Sequence, residues 1–212
     1  MHTIFFENKP RIISTGTIAG PKECAGVVGK YVDKTLTDDM FGESTYEKAE
    51  CKMLTYAIRR AIENAGEKEE NVDMLISGDL LNQIISASFA ARDFDFPFLG
   101  VYGACSTLSE SIALAAALIN AGYYKKIVAA TGSHFSSAER QYRYPLELGN
   151  TRPSQSQWTV MGAGGVFVAD MGASNSDLAV ECATFGKVVD YGITDVNNMG
   201  AAMAPAIGII EP

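Results

Sequence analysis

Cys105 is the residue of this sequence best placed to do covalent chemistry. It stands in Gly103-Ala-Cys-Ser-Thr107, between an apolar segment over residues 96–102 and an alanine-rich run that ends at Asn120. This order predicts a strand, a turn of small residues and a helix, with the thiol where the helix begins. The unpaired amides of a helix start carry partial positive charge and favour the nucleophilic thiolate. A small buried thiol that only packs is the alternative, and the local sequence leaves both open.

Polar side chains also follow the other predicted strands. Asp79 and Asn82 come after an apolar segment over 72–77, Ser133 and His134 come after one over 126–131, and Lys22 closes a glycine-rich loop over 15–22. Ligands collect at the carboxyl edge of open α/β sheets, which favours a binding site there. A helix cap is the alternative for Asp79 or Asn82, and a plain exit from a strand is the alternative for the loop, which lacks the spacing of a phosphate-binding loop.

The elements that must position these residues alternate between strands and helices. Apolar segments predict strands over 3–6, 11–14, 72–77, 96–102, 126–131 and 158–170. Helices are predicted from a capping box at Ser44 and Glu47 to Gly66, over 85–92, and behind Cys105, where the helix is apolar nearly all round and therefore expected to be buried. We expect the segment over 178–186 to form a hairpin with the strand over 158–170, and residues 188–212 to be loop-like. This order indicates an α/β fold with a largely parallel sheet covered on both faces.

Composition excludes several classes of function. The chain has 212 residues and a net charge of −8, which argues against nucleic-acid binding and against simple electrostatic attachment to anionic membranes. The four widely spaced cysteines and two histidines argue against a zinc site, because they lack the spacing of zinc ligands. Because no signal peptide and no apolar segment long enough to span a bilayer is evident, we expect the protein to be made in the cytoplasm, with its thiols reduced.

Several stretches carry a resemblance to a known family. Gly103-Ala-Cys-Ser-Thr107 before a buried helix resembles the active-cysteine segment of the thiolase and ketoacyl-synthase superfamily. The chain is more closely similar to the stage V sporulation protein AD family of spore-forming bacteria. The matching stretches, in chain order, are residues 14–23, 78–83, 103–107, 133–134 with 138–145, and 192–195 with 199–205.

The resemblance implies a thiolase-like α/β fold of two similar halves, with a mixed, mostly parallel sheet and helices on both faces. Residues 1–212 would form mainly the first half, leaving a large apolar face uncovered, so we expect dimerisation, pairing with another chain or poor solubility. Family members bind pyridine-2,6-dicarboxylic acid (dipicolinic acid), alone or as its calcium chelate. They assist its movement into the developing spore with membrane proteins of the same complex, which implies a peripheral location on the spore inner membrane. The ligand-binding positions implied are Lys22, Asp79, Leu81, Asn82, Cys105, Ser133 and His134.

Three functions follow as hypotheses. The first is a non-enzymatic dipicolinate-binding protein, in which Lys22, the amides around Cys105 and His134 meet carboxylates. The second is an acyl-thioester condensing or thiolytic enzyme that uses Cys105 as nucleophile. Its catalytic set is incomplete, since His134 is the only internal histidine and no second catalytic segment follows. The third is a subunit that acts only within a complex and has no site of its own.

Overall fold

Two sheets organise the part of the chain that the computed structural model describes, which is residues 2–142, 159–173 and 176–194. The larger sheet has six strands and the smaller has two. The strands of the larger sheet are β2 Arg11–Ala19, β3 Lys34–Thr35, β4 Met74–Gly78, β5 Phe98–Gly100, β6 Lys126–Ser133 and β7 Gly162–Ala169. The smaller sheet pairs β1 His2–Phe5 with β8 Cys182–Phe185. The helices are α1 Pro21–Cys24, α2 Tyr46–Asn64, α3 Ile85–Ala91, α4 Thr107–Asn120 and α5 Phe135–Tyr142.

The larger sheet is mixed but mostly parallel, as the sequence predicts. Its order is β3-β2-β7-β6-β4-β5. The pairs β2/β3, β4/β5 and β4/β6 are parallel, whereas β7 runs antiparallel to both of its neighbours, β2 and β6. Every strand of this sheet except β7 therefore points the same way, and the carboxyl ends of β2, β4, β5 and β6 share one edge.

Helix α2 covers one face of this sheet with the apolar stripe that its spacing predicts. Ala49, Met53, Ala57, Ile58 and Ala61 are all fully buried. The capping residue is Thr45 rather than the predicted Ser44, since the Thr45 side chain accepts a hydrogen bond from the Lys48 amide at 3.3 Å. The helix ends before Gly66, whose φ of 70° suits glycine.

The glycine-rich stretch after Ser14 continues β2 instead of ending it. We expected a loop over 15–22, but β2 runs to Ala19. Gly16 faces α2 so closely that an added Cβ would collide with the backbone of Ala57 and Ala61. The glycine therefore permits a close approach of helix to strand rather than marking a turn.

The expected hairpin between β7 and the segment over 178–186 is wrong. β8 pairs with β1, in the register His2↔Phe185 to Phe5↔Cys182. The physical reason is that β2 and β6 already occupy both edges of β7. Of the predicted loop over 188–212, residues 188–194 have no regular structure, and the remainder lies outside the described residues.

Helix α4 covers the opposite face and is less buried than its composition suggests. Ala115, Ala116 and Ile119 pack against the sheet, but Ile112, Leu114 and their neighbours along the helix are only half-buried. Full burial was predicted because the helix is apolar nearly all round. The described chain provides a layer on one side of the helix and leaves a stripe of apolar side chains partly exposed on the other.

Candidate functional site

The carboxyl edge of the sheet is the candidate site. Segments that follow β2, β4, β5 and β6 carry Lys22, Asp79, Cys105 and His134 respectively. The parallel pairing of β4 with β5 and β6 confirms that three of these strand ends meet at one edge. The side chains differ sharply in how far their polar atoms are already engaged within the chain.

Asp79 caps helix α3 from the end of β4. It is fully buried, and its two carboxylate oxygens accept hydrogen bonds from the amides of Leu81 at 2.7 Å and Ala87 at 2.6 Å. Burial raises the pKa of Asp79 above its ordinary value, although these amides act in the opposite direction. Leu81 is also buried, with 1% of its surface exposed, whereas Asn82 is exposed. The structure therefore favours the capping interpretation of Asp79 and leaves Asn82 facing solvent.

His134 is likewise engaged on both ring nitrogens. Its Nδ1 accepts from the Ser136 amide at 3.1 Å, so Nε2 carries the proton and donates to the Asp39 carbonyl at 2.7 Å. The ring is fully buried and lies 4.9 Å from that of Tyr46 and 5.0 Å from that of Phe135, measured between centroids. Burial lowers the pKa of His134, which keeps the imidazole neutral.

Lys22 reaches the same corner of the edge from α1. It is exposed, and its Nζ lies 5.5 Å from the centroid of the Phe135 ring, next to His134. The ammonium therefore sits at the mouth of the corner formed by the ends of β2 and β6. Ser133 completes this corner, where its hydroxyl donates to the Val160 carbonyl at 2.6 Å.

Cys105 lies exposed in a short 3-10 turn, Ala104–Ser106, directly before α4. Ala104 has a φ of 48°, in the left-handed region that alanine rarely adopts. The turn is held by the Gly103 amide, which donates to the Thr107 hydroxyl at 3.2 Å, and by the Ser106 hydroxyl, which donates to the Gly103 carbonyl at 2.7 Å. The thiol is thus presented to solvent rather than packed.

Gly78, the last residue of β4, lies close to the segment that contains the Cys105 turn. An added Cβ on Gly78 would lie 2.9 Å from the Thr107 methyl group and against the Val101 carbonyl. The segments carrying Asp79 and Cys105 are therefore adjacent. The described contacts form two groups, one around Asp79 and Cys105 and one around Lys22, Ser133 and His134.

Glu50 links the two groups and was missed by the sequence analysis. It is fully buried on α2, with its Oε2 atom 2.6 Å from the Ser137 hydroxyl on α5, and Asp79 is among the charges that act on it. Ser137 in turn lies 3.1 Å from the His134 carbonyl. The signal that could have found it is spacing, because Glu50 stands four residues before Leu54 and seven before Ala57 on the apolar stripe.

The exposed groups at this edge include the Lys22 ammonium and the backbone of the Cys105 turn. Across the described ranges, no cluster of three or more His, Cys, Asp or Glu side chains could hold a metal. An ammonium and hydrogen-bond donors of this kind can each face a carboxylate, whereas the polar atoms of Asp79 and His134 are bonded to backbone groups within the chain. In the same ranges, no helix is long and apolar enough to cross a membrane.

Comparison with known proteins gives a clear sequence match. The family model described as Stage V sporulation protein AD (SpoVAD) matches residues 1–210. The chain is 42% identical over 204 residues to stage V sporulation protein AD of Bacillus subtilis strain 168. That alignment takes in 96% of this chain and 60% of the relative, so the chain spans less than two thirds of the length of the protein it matches.

Solved structures give the fold. The H285N variant of OleA from Xanthomonas campestris superposes with a TM-score of 0.55 at 16% identity, over 79% of this chain and 57% of that chain. 3-Oxoacyl-[acyl-carrier-protein] synthase III from Aquifex aeolicus VF5 superposes with a TM-score of 0.50 at 19% identity, over 76% of this chain and 53% of that chain. The predicted thiolase-like α/β fold is confirmed.

Proposed function

The chain belongs to the stage V sporulation protein AD family, and we propose that it acts in sporulation as a non-enzymatic binding protein for dipicolinic acid. The observation that carries this proposal is the family match along nearly the whole chain. We further propose that residues 1–212 correspond to the first half of a duplicated fold, and that they provide the sheet edge at which the ligand binds.

The ligand is a flat aromatic dianion, alone or as its calcium chelate. Lys22 is an exposed cation at the β2 end of the edge, and the Cys105 turn offers backbone amides and a thiol at the β5 end. Asn82 adds an exposed amide side chain after β4. Asp79, Leu81, Ser133 and His134 lie at the same edge, but the polar atoms of Asp79 and His134 are engaged within the chain. In this proposal, those two residues position the edge rather than contact the carboxylates.

The proposed setting is an uptake complex at the developing spore. The chain would sit peripherally on the spore inner membrane, beside membrane proteins of the same complex, and would form a homo-oligomer or pair with another chain. The half-buried apolar stripe along α4 supports a covering partner.

An acyl-thioester enzyme that uses Cys105 is the second candidate function. Two observations favour it: the thiol is exposed at the start of α4, and both solved structures above share this fold. The hydrogen bonds of His134, the one internal histidine, argue against this function. Neither ring nitrogen is available as a base unless a hydrogen bond is broken.

Titration calorimetry with dipicolinate, with and without calcium, tests the proposal. We expect binding in the micromolar range, about −8 kcal/mol, and at least a tenfold loss of affinity in Lys22→Ala, with Lys30→Ala as the exposed lysine control. A folded chain that binds no dipicolinate would contradict the proposal. A covalent acyl adduct on Cys105 after incubation with a coenzyme A thioester, detected by mass spectrometry and absent in Cys105→Ala, would favour the enzyme instead.

A further inference from the structure

Glu50 is a buried acid whose protonation state can be inferred from its contacts. It is fully enclosed between α2, α5 and the end of β4. Its Oε2 atom contacts the Ser137 hydroxyl at 2.6 Å. Its Oε1 atom has no partner within hydrogen-bond distance, although the Ser86 hydroxyl of α3, which is also buried and unpartnered, lies near the carboxyl group. The Ser137 hydroxyl also lies 3.1 Å from the His134 carbonyl.

The single hydroxyl proton of Ser137 limits how these two contacts can be made. A serine hydroxyl has one proton, so it can donate to Glu50 or to the His134 carbonyl, but not fully to both. A carbonyl can only accept. Both contacts become good hydrogen bonds if Glu50 carries a proton on Oε2 and donates it to Ser137, which then donates to His134. The unpartnered Oε1 atom is in that case the carbonyl oxygen of a neutral acid, which is far cheaper to bury than a carboxylate oxygen.

We propose that Glu50 is a neutral carboxylic acid in the folded chain. Its proton completes a chain of hydrogen bonds, here called the relay, that runs from Glu50 through Ser137 to the His134 carbonyl and holds α5 against α2. Loss of the proton to solvent leaves Ser137 with one proton for two acceptors and places a carboxylate charge in a fully buried position. The first turn of α5 then separates from α2, because that opening is the direct way to solvate the carboxylate.

The charges around Glu50 act in the same direction. Asp79 faces it from the end of β4 and Glu47 from its own helix, and both are acidic. The neighbouring groups from α3 and α5 are the hydroxyls of Ser86 and Ser137. Burial, with these two carboxylates, raises the pKa of Glu50 to about 8, although the two hydroxyls oppose the shift.

The relay ends at the candidate binding edge. His134 begins the segment that Ser137 fastens, and its ring holds the Asp39 carbonyl on the loop before α2. Opening of the first turn of α5 therefore loosens one corner of the edge. This inference concerns the protonation of Glu50 and the hold on α5, and it does not depend on dipicolinate being the ligand.

Infrared spectroscopy and hydrogen exchange test the relay. At about pH 6, roughly two units below the pKa of Glu50, the difference spectrum of wild type minus Glu50→Gln should show the C=O stretch of one protonated carboxyl. Ser137→Ala should keep this band but shift it, because the acid loses its partner. Glu63→Gln, an exposed position on the same helix, is the control and should leave the band unchanged.

Hydrogen exchange measures the opening itself. For wild type, the opening equilibrium of the peptide covering residues 134–142 should rise about tenfold per pH unit up to about pH 8. It should be nearly independent of pH in Glu50→Gln, whose amide can donate to Ser137 without titrating. The proposal is overturned if the carboxyl band is missing from wild type, or if wild type and Glu50→Gln share one pH dependence. Should Glu50→Gln fail to fold, the infrared titration of wild type against Ser137→Ala gives the same decision.

Discussion

Replacing Gly16 by alanine tests how closely α2 lies on the sheet. The added Cβ would fall inside contact distance of the Ala57 carbonyl oxygen and the Ala61 amide nitrogen, and 2.8 Å from the carbonyl carbon of Arg60. All three are backbone atoms of a helix, so no side chain can rotate away. Relief requires α2 to move off β2 and β7 by roughly 1 Å, which opens gaps beneath the buried stripe of α2.

Two glycines of β7 provide a graded series for the same test. An added Cβ on Gly165 would lie 2.8 Å from the Ala57 oxygen, whereas one on Gly164 would meet nothing within 4 Å. Overpacking of a core costs about 1–3 kcal/mol and occasionally more. We expect a loss of about 3 kcal/mol for Gly16→Ala and about 1.5 kcal/mol for Gly165→Ala. Gly164→Ala should be neutral or slightly stabilising, because alanine restricts the unfolded chain.

Urea unfolding followed by circular dichroism measures these differences, with thermal melting as a second readout. For a chain of this length, 3 kcal/mol corresponds to a fall of about 6–12 °C in Tm. The order Gly16, Gly165, Gly164 is the essential result. If Gly16→Ala unfolds at the same urea concentration as Gly164→Ala, the contact between α2 and β2 is not as close as described and the reasoning fails.

Three further predictions concern the buried polar groups. Glu50→Gln should have a larger free energy of unfolding than wild type at pH 8, by up to about 4 kcal/mol, and a similar one near pH 4.5. The reason is that the folded wild-type chain binds the Glu50 proton between those pH values while the unfolded chain does not. Denaturant titrations across this range would contradict the prediction if the two proteins showed the same pH dependence. Asp79→Ala should cost about 2 kcal/mol by leaving two buried amides unpaired, and Asp79→Asn should recover part of the loss in the same assay. His134→Gln should lose less stability than wild type as the pH falls below 6.5. Burial lowers the pKa of His134, so in wild type only the unfolded chain takes up the proton at these pH values. Equal dependence of stability on acid in wild type and variant would show that His134 is not responsible.

Periodicity and strand order predict most of the fold. The stripe of α2, the short α3 and the parallel β4, β5 and β6 follow from the spacing of apolar residues alone. The shared carboxyl edge follows from the parallel order of β4, β5 and β6, because the helices α3 and α4 between them return the chain to the same end of the sheet. These features depend on local sequence, which is why they can be predicted without knowing distant contacts.

The features that escaped prediction depend on distant contacts. Gly16 indicates a loop when taken locally, but its role is set by α2, which packs on it from elsewhere in the chain. β8 pairs with β1 because both edges of β7 are already occupied, and no local sequence pattern indicates this occupancy. The same holds at the site, where Asp79 and His134 look available in the sequence but are engaged by backbone groups of α3 and of the loop at Asp39.

The central position of β7 also governs the order in which the chain can fold during synthesis. β7 is the sixth strand of the larger sheet to leave the ribosome, yet β2 and β6 pair with it rather than with each other, through registers that join Arg11 and Lys126 to the same Ala169. Until Ala169 has emerged, β2 and β6 each have an open edge facing the gap. Non-local pairing of this kind slows folding and leaves unpaired strand edges exposed to aggregation. A nascent chain arrested shortly before Gly162 should therefore depend on chaperones, and one arrested well beyond Ala169 should not.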